Sequence, residues 1–144
     1  MPLFSDIDPS NFNIPLEFEL DIRVRYQETD GQGRVHHTNY INYFEIARVE
    51  MLRAGGVDYR ALEATGVMLV VSEVKCNYLA AAQYDDLLRV KAKVVRAKGV
   101  RVTHEYEVYL GSELVCTGET TVAAVDKEGN VLRLPKWLRF EQFS

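Results

Sequence analysis

Residues 25–56 read RYQETDGQGRVHHTNYINYFEIARVEMLRAGG and change character twice along their length. An alternation of apolar and polar residues, typical of a strand, enters the stretch. A polar segment with two glycines and two adjacent histidines follows, and a helical pattern leaves it. The polar segment is therefore either a loop that turns the chain or a site between a strand and a helix.

The second half of this stretch predicts one long helix. Aromatic and apolar residues recur at helical spacing, namely Tyr40, Tyr43, Phe44, Ala47, Met51 and Ala54. We expect the helix to begin near Thr38 and to end at Gly55 after about four turns. A shorter helical turn is predicted over residues 58–65. Because the apolar stripe is wide, the long helix needs a large apolar surface such as a sheet to cover it.

Alternating residues predict five strands, one before the long helix and four after it. The first runs from Phe18 through Tyr26 straight into the polar segment. The others fall within residues 68–78, 88–94, 100–110 and 113–125. The connections are short, including a Gly-Ser turn after the fourth strand and DKEGN after the fifth, and they imply antiparallel pairing. The fifth strand has small or apolar residues on both faces, which predicts an interior position in an α+β fold.

Domain organisation follows from length and local composition. At 144 residues the chain is expected to form one domain, over residues 17–144. Residues 1–16 contain three prolines and predict an irregular arm. One helix cannot cover both faces and both edges of such a sheet, so we expect copies of the chain to associate.

Composition excludes several classes of protein. The chain is 47% hydrophobic and 26% charged, which is typical of a globular protein, and no apolar run approaches a membrane span. The net charge of -4 gives no basis for nucleic-acid binding. The first residues lack the pattern of a secretory signal, so we expect a cytoplasmic protein. Cys76 and Cys116 are then expected to be buried free thiols.

Three kinds of site are disfavoured by the motifs. No GxSxG elbow is present, which argues against a serine hydrolase. GQGRVH has His36 where a dinucleotide loop needs its third glycine, and no βαβ unit surrounds it. Adjacent histidines such as His36 and His37 do not share a helix face, so no metal site is expected.

The remaining chemistry concerns a carboxylate next to the start of a helix. Asp30 precedes a turn to which Gly31 and Gly33 give conformational freedom, and unpaired N–H groups follow where the helix begins. Such N–H groups can stabilise an oxyanion, and the carboxylate can attack a carbonyl or deprotonate a water. A thioester is a suitable substrate for a carboxylate and these N–H groups, because a thiol leaves as its anion without a strong general acid. The alternative is that Asp30 only bonds the backbone of its own turn.

Residues 25–56, followed by YLAAAQYDDLLRV at residues 78–90, resemble the hotdog-fold acyl-CoA thioesterases of the 4-hydroxybenzoyl-CoA thioesterase family, including the bacterial Tol-Pal-associated members. The resemblance covers residues 22–140. It implies an antiparallel sheet of about five strands wrapped around one long central helix. It also implies a homodimer, or a tetramer made of two dimers, with the site at the subunit interface.

The resemblance assigns roles to individual residues. Asp30 matches the catalytic aspartate, and the backbone N–H of His37 matches the group that polarises the thioester carbonyl. The side chain of His37 matches the members that carry histidine there. The substrate site is expected to be lined by Gly33, His36, Thr38, Asn39 and Tyr40. The CoA phosphates are expected at Arg96, Lys98 and Arg101. No cofactor is expected, since coenzyme A is part of the substrate.

Two other functions stay open from the sequence. One is a module that binds acyl-CoA or an acyl carrier without turnover. The other is a hotdog enoyl-CoA hydratase or dehydratase, which would use His37 with Glu45 of the helix. Against the second, Glu45 is also placed to form an ion pair with Arg48 on the helix surface.

Overall fold

The computed structural model describes residues 12–138 and residue 140 of the chain. Its strands are β1 (Glu17–Arg23), β2 (Met68–Tyr78), β3 (Leu87–Lys98), β4 (Arg101–Leu110) and β5 (Glu113–Val125). Its α-helices are α1 (His37–Ala54) and α2 (Tyr59–Ala64). All strand pairs are antiparallel, in the order β1-β3-β4-β5-β2. The predicted α+β hotdog architecture, with β5 inside the sheet, is confirmed.

Helix α1 forms the centre of the core. Five of the six apolar residues that predicted the helix are buried, namely Tyr40, Tyr43, Phe44, Ala47 and Met51. The sixth, Ala54, is exposed, and Leu52 completes the buried face instead. The helix starts after His36 and ends at Gly55, close to the predicted bounds. Short α2 also lies where it was expected, with the Asp58 side chain accepting the N–H groups of Arg60 and Ala61.

Phe44 of α1 lies against the middle of the sheet. Its ring stacks on Tyr106 of β4 at 4.4 Å between centroids, with 11° between the ring planes. Gly118 of β5 lies directly against the Phe44 ring, and a Cβ at this position would overlap two ring carbons. The absence of a side chain at Gly118 therefore allows the helix to approach the sheet this closely.

The first strand ends earlier than the sequence predicts. Alternation continues to Tyr26, but β1 ends at Arg23, so the prediction of a strand running straight into the polar segment is wrong. The reason is local hydrogen bonding, since the Glu28 carboxylate accepts the backbone N–H of Arg25 at 2.9 Å and bends the chain into a 3-10 turn. Tyr26 therefore points outward and is 77% exposed.

The two edges of the sheet are β1 and β2. Strand β2 is exposed along most of its length, and a register shift between Val71 and Glu73 interrupts its alternation. Its exposed apolar residues include Val70, Val71 and Val74, which the described part of the chain does not cover. An apolar edge of this kind is a surface that another strand can pair with.

Part of the predicted N-terminal arm is described, and residues 1–11 lie outside the described residues. Asn13 donates its N–H to the Gly55 carbonyl at 2.9 Å, and Ile14 packs on Gly55 at the end of α1. The division into an arm over residues 1–16 and a domain over residues 17–144 stays a prediction. No helix in the described part of the chain combines the length and apolar character needed to cross a membrane.

Candidate active site

Asp30 lies at the base of a tight turn. Its N–H donates to the Arg34 carbonyl at 2.8 Å, and its carbonyl accepts the Gly33 N–H at 3.0 Å. One carboxylate oxygen, Oδ1, accepts the N–H groups of Gln32 at 2.8 Å and Arg34 at 3.3 Å. Within the described residues the second oxygen, Oδ2, has no hydrogen-bond partner. Asp30 thus forms its turn with one oxygen and leaves the other without a partner among the described residues.

The same turn occurs a second time in the chain. Asp126 accepts the N–H groups of Glu128 at 2.9 Å and Asn130 at 2.8 Å on its Oδ1, with the same sequence offsets as at Asp30. Gly129 has φ +85 there, and Gly33 has φ +80 in the Asp30 turn. The turn at Asp126 follows β5 and is not attached to the start of a helix. The turn therefore does not distinguish Asp30 from Asp126. What distinguishes Asp30 is that the start of α1 follows its turn.

The two glycines of the Asp30 turn have different requirements. Of the two, only Gly33 has a positive φ. The prediction that the turn needs the conformational freedom of glycine is therefore confirmed for Gly33 and wrong for Gly31. A Cβ would meet nothing within 4 Å at either position. We expect Gly33→Ala to lower the free energy of unfolding by about 1–2 kcal/mol, because an L-residue is strained there. Gly31→Ala is the control, with a change below about 0.5 kcal/mol, and equal effects in chemical denaturation would contradict the assignment.

Glu28 fastens the loop to the helix. Its carboxylate accepts the Tyr43 hydroxyl at 2.9 Å and pairs with the Arg25 guanidinium at 3.0 Å. Its carbonyl accepts the His36 N–H at 2.8 Å and the Asn39 side-chain amide at 2.9 Å. Burial raises the pKa of Glu28, but the Arg25 N–H, the Tyr43 hydroxyl and the Arg25 guanidinium together lower it below the usual value. Sequence reasoning missed this anchor.

The N–H groups at the start of α1 differ in whether they have a described partner. His36 is the N-cap, and its Nδ1 accepts the Thr38 N–H at 3.3 Å and lies 2.8 Å from the Thr38 hydroxyl. The Asn39 N–H donates to the His36 carbonyl at 2.9 Å. Across residues 12–138 and 140, the His37 N–H has no hydrogen-bond partner. The dipole of an 18-residue helix adds partial positive charge at this point.

The His37 side chain is exposed and contacts other rings. It stacks on His36 at 4.2 Å and meets Tyr78 edge-on at 6.2 Å. Tyr78, at the end of β2, donates its hydroxyl to the His37 carbonyl at 2.9 Å. Burial, then the Cys76 thiol, raises the pKa of Tyr78, so the hydroxyl keeps its proton. No local sequence signal links Tyr78 to His37, because 41 positions separate them.

The other residues predicted to line a substrate site differ in how open they are. Gly33 and Thr38 are exposed and His36 is half-buried. The Asn39 amide is already bonded to Glu28 and Asn42. Tyr40 is only 3% exposed and packs behind Tyr78, and burial raises its pKa to about 12. Contact of these five residues with substrate stays a prediction.

The basic residues predicted for the CoA phosphates lie at the other end of the sheet. Arg96, Lys98 and Arg101 are exposed around the turn between β3 and β4. The Asp30 turn lies near the start of β3, since Arg34 bridges to Gln83. Strand β3 has 12 residues, so its ends are on the order of 30 Å apart. One chain therefore does not bring these cations to Asp30, and their CoA role stays a prediction.

A polar cluster under α1 was not foreseen. Arg48 turns inward and donates to the Tyr106 hydroxyl at 3.4 Å and the Thr120 hydroxyl at 3.5 Å. The predicted ion pair between Glu45 and Arg48 does not form among the described residues, because Arg48 reaches these sheet hydroxyls instead. His104 is buried beside Arg48, and burial followed by the Arg48 charge lowers its pKa to about 3. His104 is therefore a neutral core residue.

The two cysteines lie close together behind Tyr78. Their Sγ atoms are 3.4 Å apart and both thiols are free. Cys116 is buried, as predicted, whereas Cys76 on the edge strand is only half-buried. Burial, followed by the neighbouring Cys76 sulfur, raises the pKa of Cys116, so this thiol is a poor nucleophile at neutral pH.

Taken together, one short segment supplies a carboxylate oxygen and an N–H group, neither of which has a partner among residues 12–138 and 140. The backbone bond from His36 to Glu28 keeps the start of α1 beside the segment that carries Asp30. A carboxylate and an oxyanion donor on neighbouring elements are the components of an acyl-transfer site. Of the sequence-predicted catalytic groups, Asp30 and His37 are thus held by the same local framework.

Comparison with known proteins identifies the family to which the chain belongs. Residues 24–140 match the family model of the thioesterase-like superfamily. An acyl-CoA thioesterase of Haemophilus influenzae, YbgC, is 34% identical over 110 residues, covering 76% of this chain and 81% of that protein. A DHNA-CoA thioesterase structure from Staphylococcus aureus has a TM-score of 0.79 and 29% identity, covering 82% of this chain and 80% of that one.

A crystal structure of an Aquifex aeolicus protein extends the likeness over almost its entire length. Its TM-score is 0.81 at 32% identity, and the alignment covers 85% of this chain and 99% of that chain. The family match includes the Asp30 turn, α1 and strands β2 to β5. The chain therefore belongs to the thioesterase-like superfamily and is a hotdog-fold thioester hydrolase.

Proposed function

We propose that the chain hydrolyses acyl-CoA thioesters, with Asp30 as the reacting carboxylate and the His37 N–H as an oxyanion donor. The observation that carries the proposal is the pairing of an unbonded Asp30 oxygen with an unbonded N–H at the start of α1. The similar proteins described above, an acyl-CoA thioesterase and a DHNA-CoA thioesterase, support a CoA thioester as the substrate class.

Two mechanisms fit the same groups. In one, Asp30 attacks the thioester carbonyl carbon, the carbon–sulfur bond breaks, CoA leaves as its thiolate, and water then hydrolyses the mixed anhydride. In the other, Asp30 takes a proton from a water whose oxygen attacks the carbonyl, and the thiolate leaves. In both, the His37 N–H stabilises the negative oxygen of the intermediate. A thiolate departs readily because its thiol has a pKa of about 8.5.

Hydrolysis of short-chain, long-chain and aromatic acyl-CoAs, assayed side by side, tests the proposal. We expect CoA release with at least one class. Tight binding of every class without release would instead establish a binding module. A single turnover in heavy-oxygen water tests the mechanisms, because label in the Asp30 carboxylate requires the anhydride. Label only in the released acid favours general-base catalysis and excludes water attack on the Asp30 carbonyl of an anhydride.

The hydratase alternative gains no support from the arrangement of α1. His37 and Glu45 are eight positions apart, which corresponds to about 12 Å along a helix axis. Both side chains are exposed and no hydrogen bond joins them in the described part of the chain. Conversion of an enoyl-CoA without thioester cleavage would reverse this preference.

We also propose a cytoplasmic homodimer or tetramer in which β2 pairs with β2 of a second copy. The support is the apolar edge formed by Val70, Val71 and Val74. Arg96, Lys98 and Arg101 would then act on CoA bound to another chain, because their own Asp30 lies at the far end of β3.

A charge on the β2 edge is expected to weaken this association. Val74 is 38% exposed on β2, and Lys there would have to be desolvated in a strand pair. We expect Val74→Lys to raise the dimer dissociation constant at least about tenfold, measured by sedimentation equilibrium. Leu87→Lys is the control, since Leu87 is 43% exposed at the start of β3, on the other side of the sheet. An unchanged mass distribution for Val74→Lys would remove β2 from the interface.

A further inference from the structure

Tyr78 links the edge strand β2 to the first turn of α1. Its hydroxyl donates to the His37 carbonyl at 2.9 Å. Its ring lies edge-on to Tyr40 at 5.6 Å and to His37 at 6.2 Å between centroids. Tyr78 and His37 are 41 positions apart in the chain, and their contact places the end of β2 beside the open His37 N–H.

The hydrogen bond is not needed to satisfy either of its partners. In an α-helix the carbonyl of the first residue accepts the N–H four positions later, so His37 already has a donor. Tyr78 is 48% exposed, so water could solvate its hydroxyl. The consequence of the bond is therefore positional, because it fixes the His37 carbonyl relative to the end of β2.

The peptide group before His37 lies between two anchors. On one side, the Glu28 carbonyl accepts the His36 N–H at 2.8 Å. On the other side, the Tyr78 hydroxyl holds the His37 carbonyl. The same peptide group is also held through its own carbonyl, because the His36 carbonyl accepts the Asn39 N–H at 2.9 Å. Loss of the Tyr78 bond would therefore loosen one of three restraints on the His37 N–H. An oxyanion donor contributes most when its direction is set before the reaction begins.

We propose that Tyr78 is a positioning residue, which orients the His37 N–H toward the oxyanion of the thioester intermediate. This role rests on the proposed function. Tyr78 does not react and does not donate to the oxyanion itself. Its hydroxyl acts through the first turn of α1, so its contribution appears in the chemical step rather than in substrate binding.

Tyr78→Phe removes the hydroxyl and keeps the ring contacts. We expect kcat to fall about threefold to tenfold while KM stays within about twofold, since one positioning hydrogen bond is lost in the transition state. The pH profile of kcat should keep its shape. Tyr109→Phe is the matched control, because Tyr109 also makes a 2.9 Å hydroxyl bond, to Glu107 on β4, and the alternation of β4 places it on the face of the sheet opposite α1.

Amide NMR of the free protein gives a second readout that does not depend on turnover. We expect the signals of residues 37–39 to shift or broaden in Tyr78→Phe and to stay unchanged in Tyr109→Phe. An unchanged kcat, or an equal loss in both variants, overturns the positioning role while leaving the thioesterase proposal intact. If the unmodified protein hydrolyses no acyl-CoA, the thioesterase proposal fails, and unchanged signals at residues 37–39 would then also remove the anchor.

Discussion

Asp30→Asn is expected to lower kcat for acyl-CoA hydrolysis by about a hundredfold to ten-thousandfold, the range for loss of a catalytic acid or base. The amide that replaces the carboxylate neither attacks the carbonyl effectively nor takes a proton from water. Its oxygen can still accept the N–H groups of Gln32 and Arg34, which Asp30 Oδ1 accepts now. The turn should therefore stay folded, so the variant tests chemistry rather than stability.

The control for Asp30→Asn is present in the same chain. Asp126→Asn makes the same substitution in a turn with the same two backbone hydrogen bonds to Oδ1, away from the start of any described helix, although Asp126 Oδ2 also accepts the Asn130 side-chain amide at 3.1 Å. We expect Asp126→Asn to keep kcat within about twofold, because it touches no proposed reacting group. Full turnover in Asp30→Asn would exclude Asp30 from the mechanism and leave it the structural role that Asp126 has.

Gly118→Ala is expected to lower the free energy of unfolding by about 2–3 kcal/mol and Tm by about 5–10 °C. The added Cβ would overlap the ring of Phe44, which is fully buried against Tyr106. A buried ring stacked on a second ring has no empty space into which it can move. Relief therefore requires α1 to move away from β5. Thermal and chemical denaturation measure the loss.

A double-mutant cycle identifies Phe44 as the cause. Phe44→Leu alone is expected to cost about 1–2 kcal/mol through lost contacts. In the presence of Phe44→Leu, Gly118→Ala should cost less than it does alone, with a coupling energy of about 1 kcal/mol or more. Strict additivity of the two changes would show that Gly118 is required for another reason, such as strand geometry.

Elements with an uninterrupted local pattern could be predicted from the sequence. The bounds of α1, the two-residue turn at Gly111 and the interior place of β5 follow from spacing and turn residues alone. The end of β1 could not be predicted, because the alternation through Tyr26 continues past the point where the Glu28 carboxylate bends the chain. There a hydrogen bond from one side chain outweighs the periodicity.

Some parts of the candidate site could likewise be predicted from the sequence, and others could not. Asp30 and the start of α1 are seven positions apart, so one stretch of sequence presents both. The contact of Tyr78 with His37 depends on how β2 meets the helix, which one sequence does not encode at any fixed spacing. For Arg48, in contrast, a local spacing gave a wrong prediction. Its spacing to Glu45 predicts an ion pair on the helix, but its guanidinium donates to two hydroxyl groups of the sheet instead.

Segments next to both edge strands of the sheet contact the start of α1. Strands β1 and β2 are separated by three others, yet the chain leaving β1 and the end of β2 both bind the start of α1. None of the hydrogen bonds described around His36, His37 and Asn39 comes from β3, β4 or β5. The hydrogen bonds described at the start of α1 therefore come from segments next to the two edge strands, so a substitution at either edge acts on the candidate site without passing through the middle of the sheet.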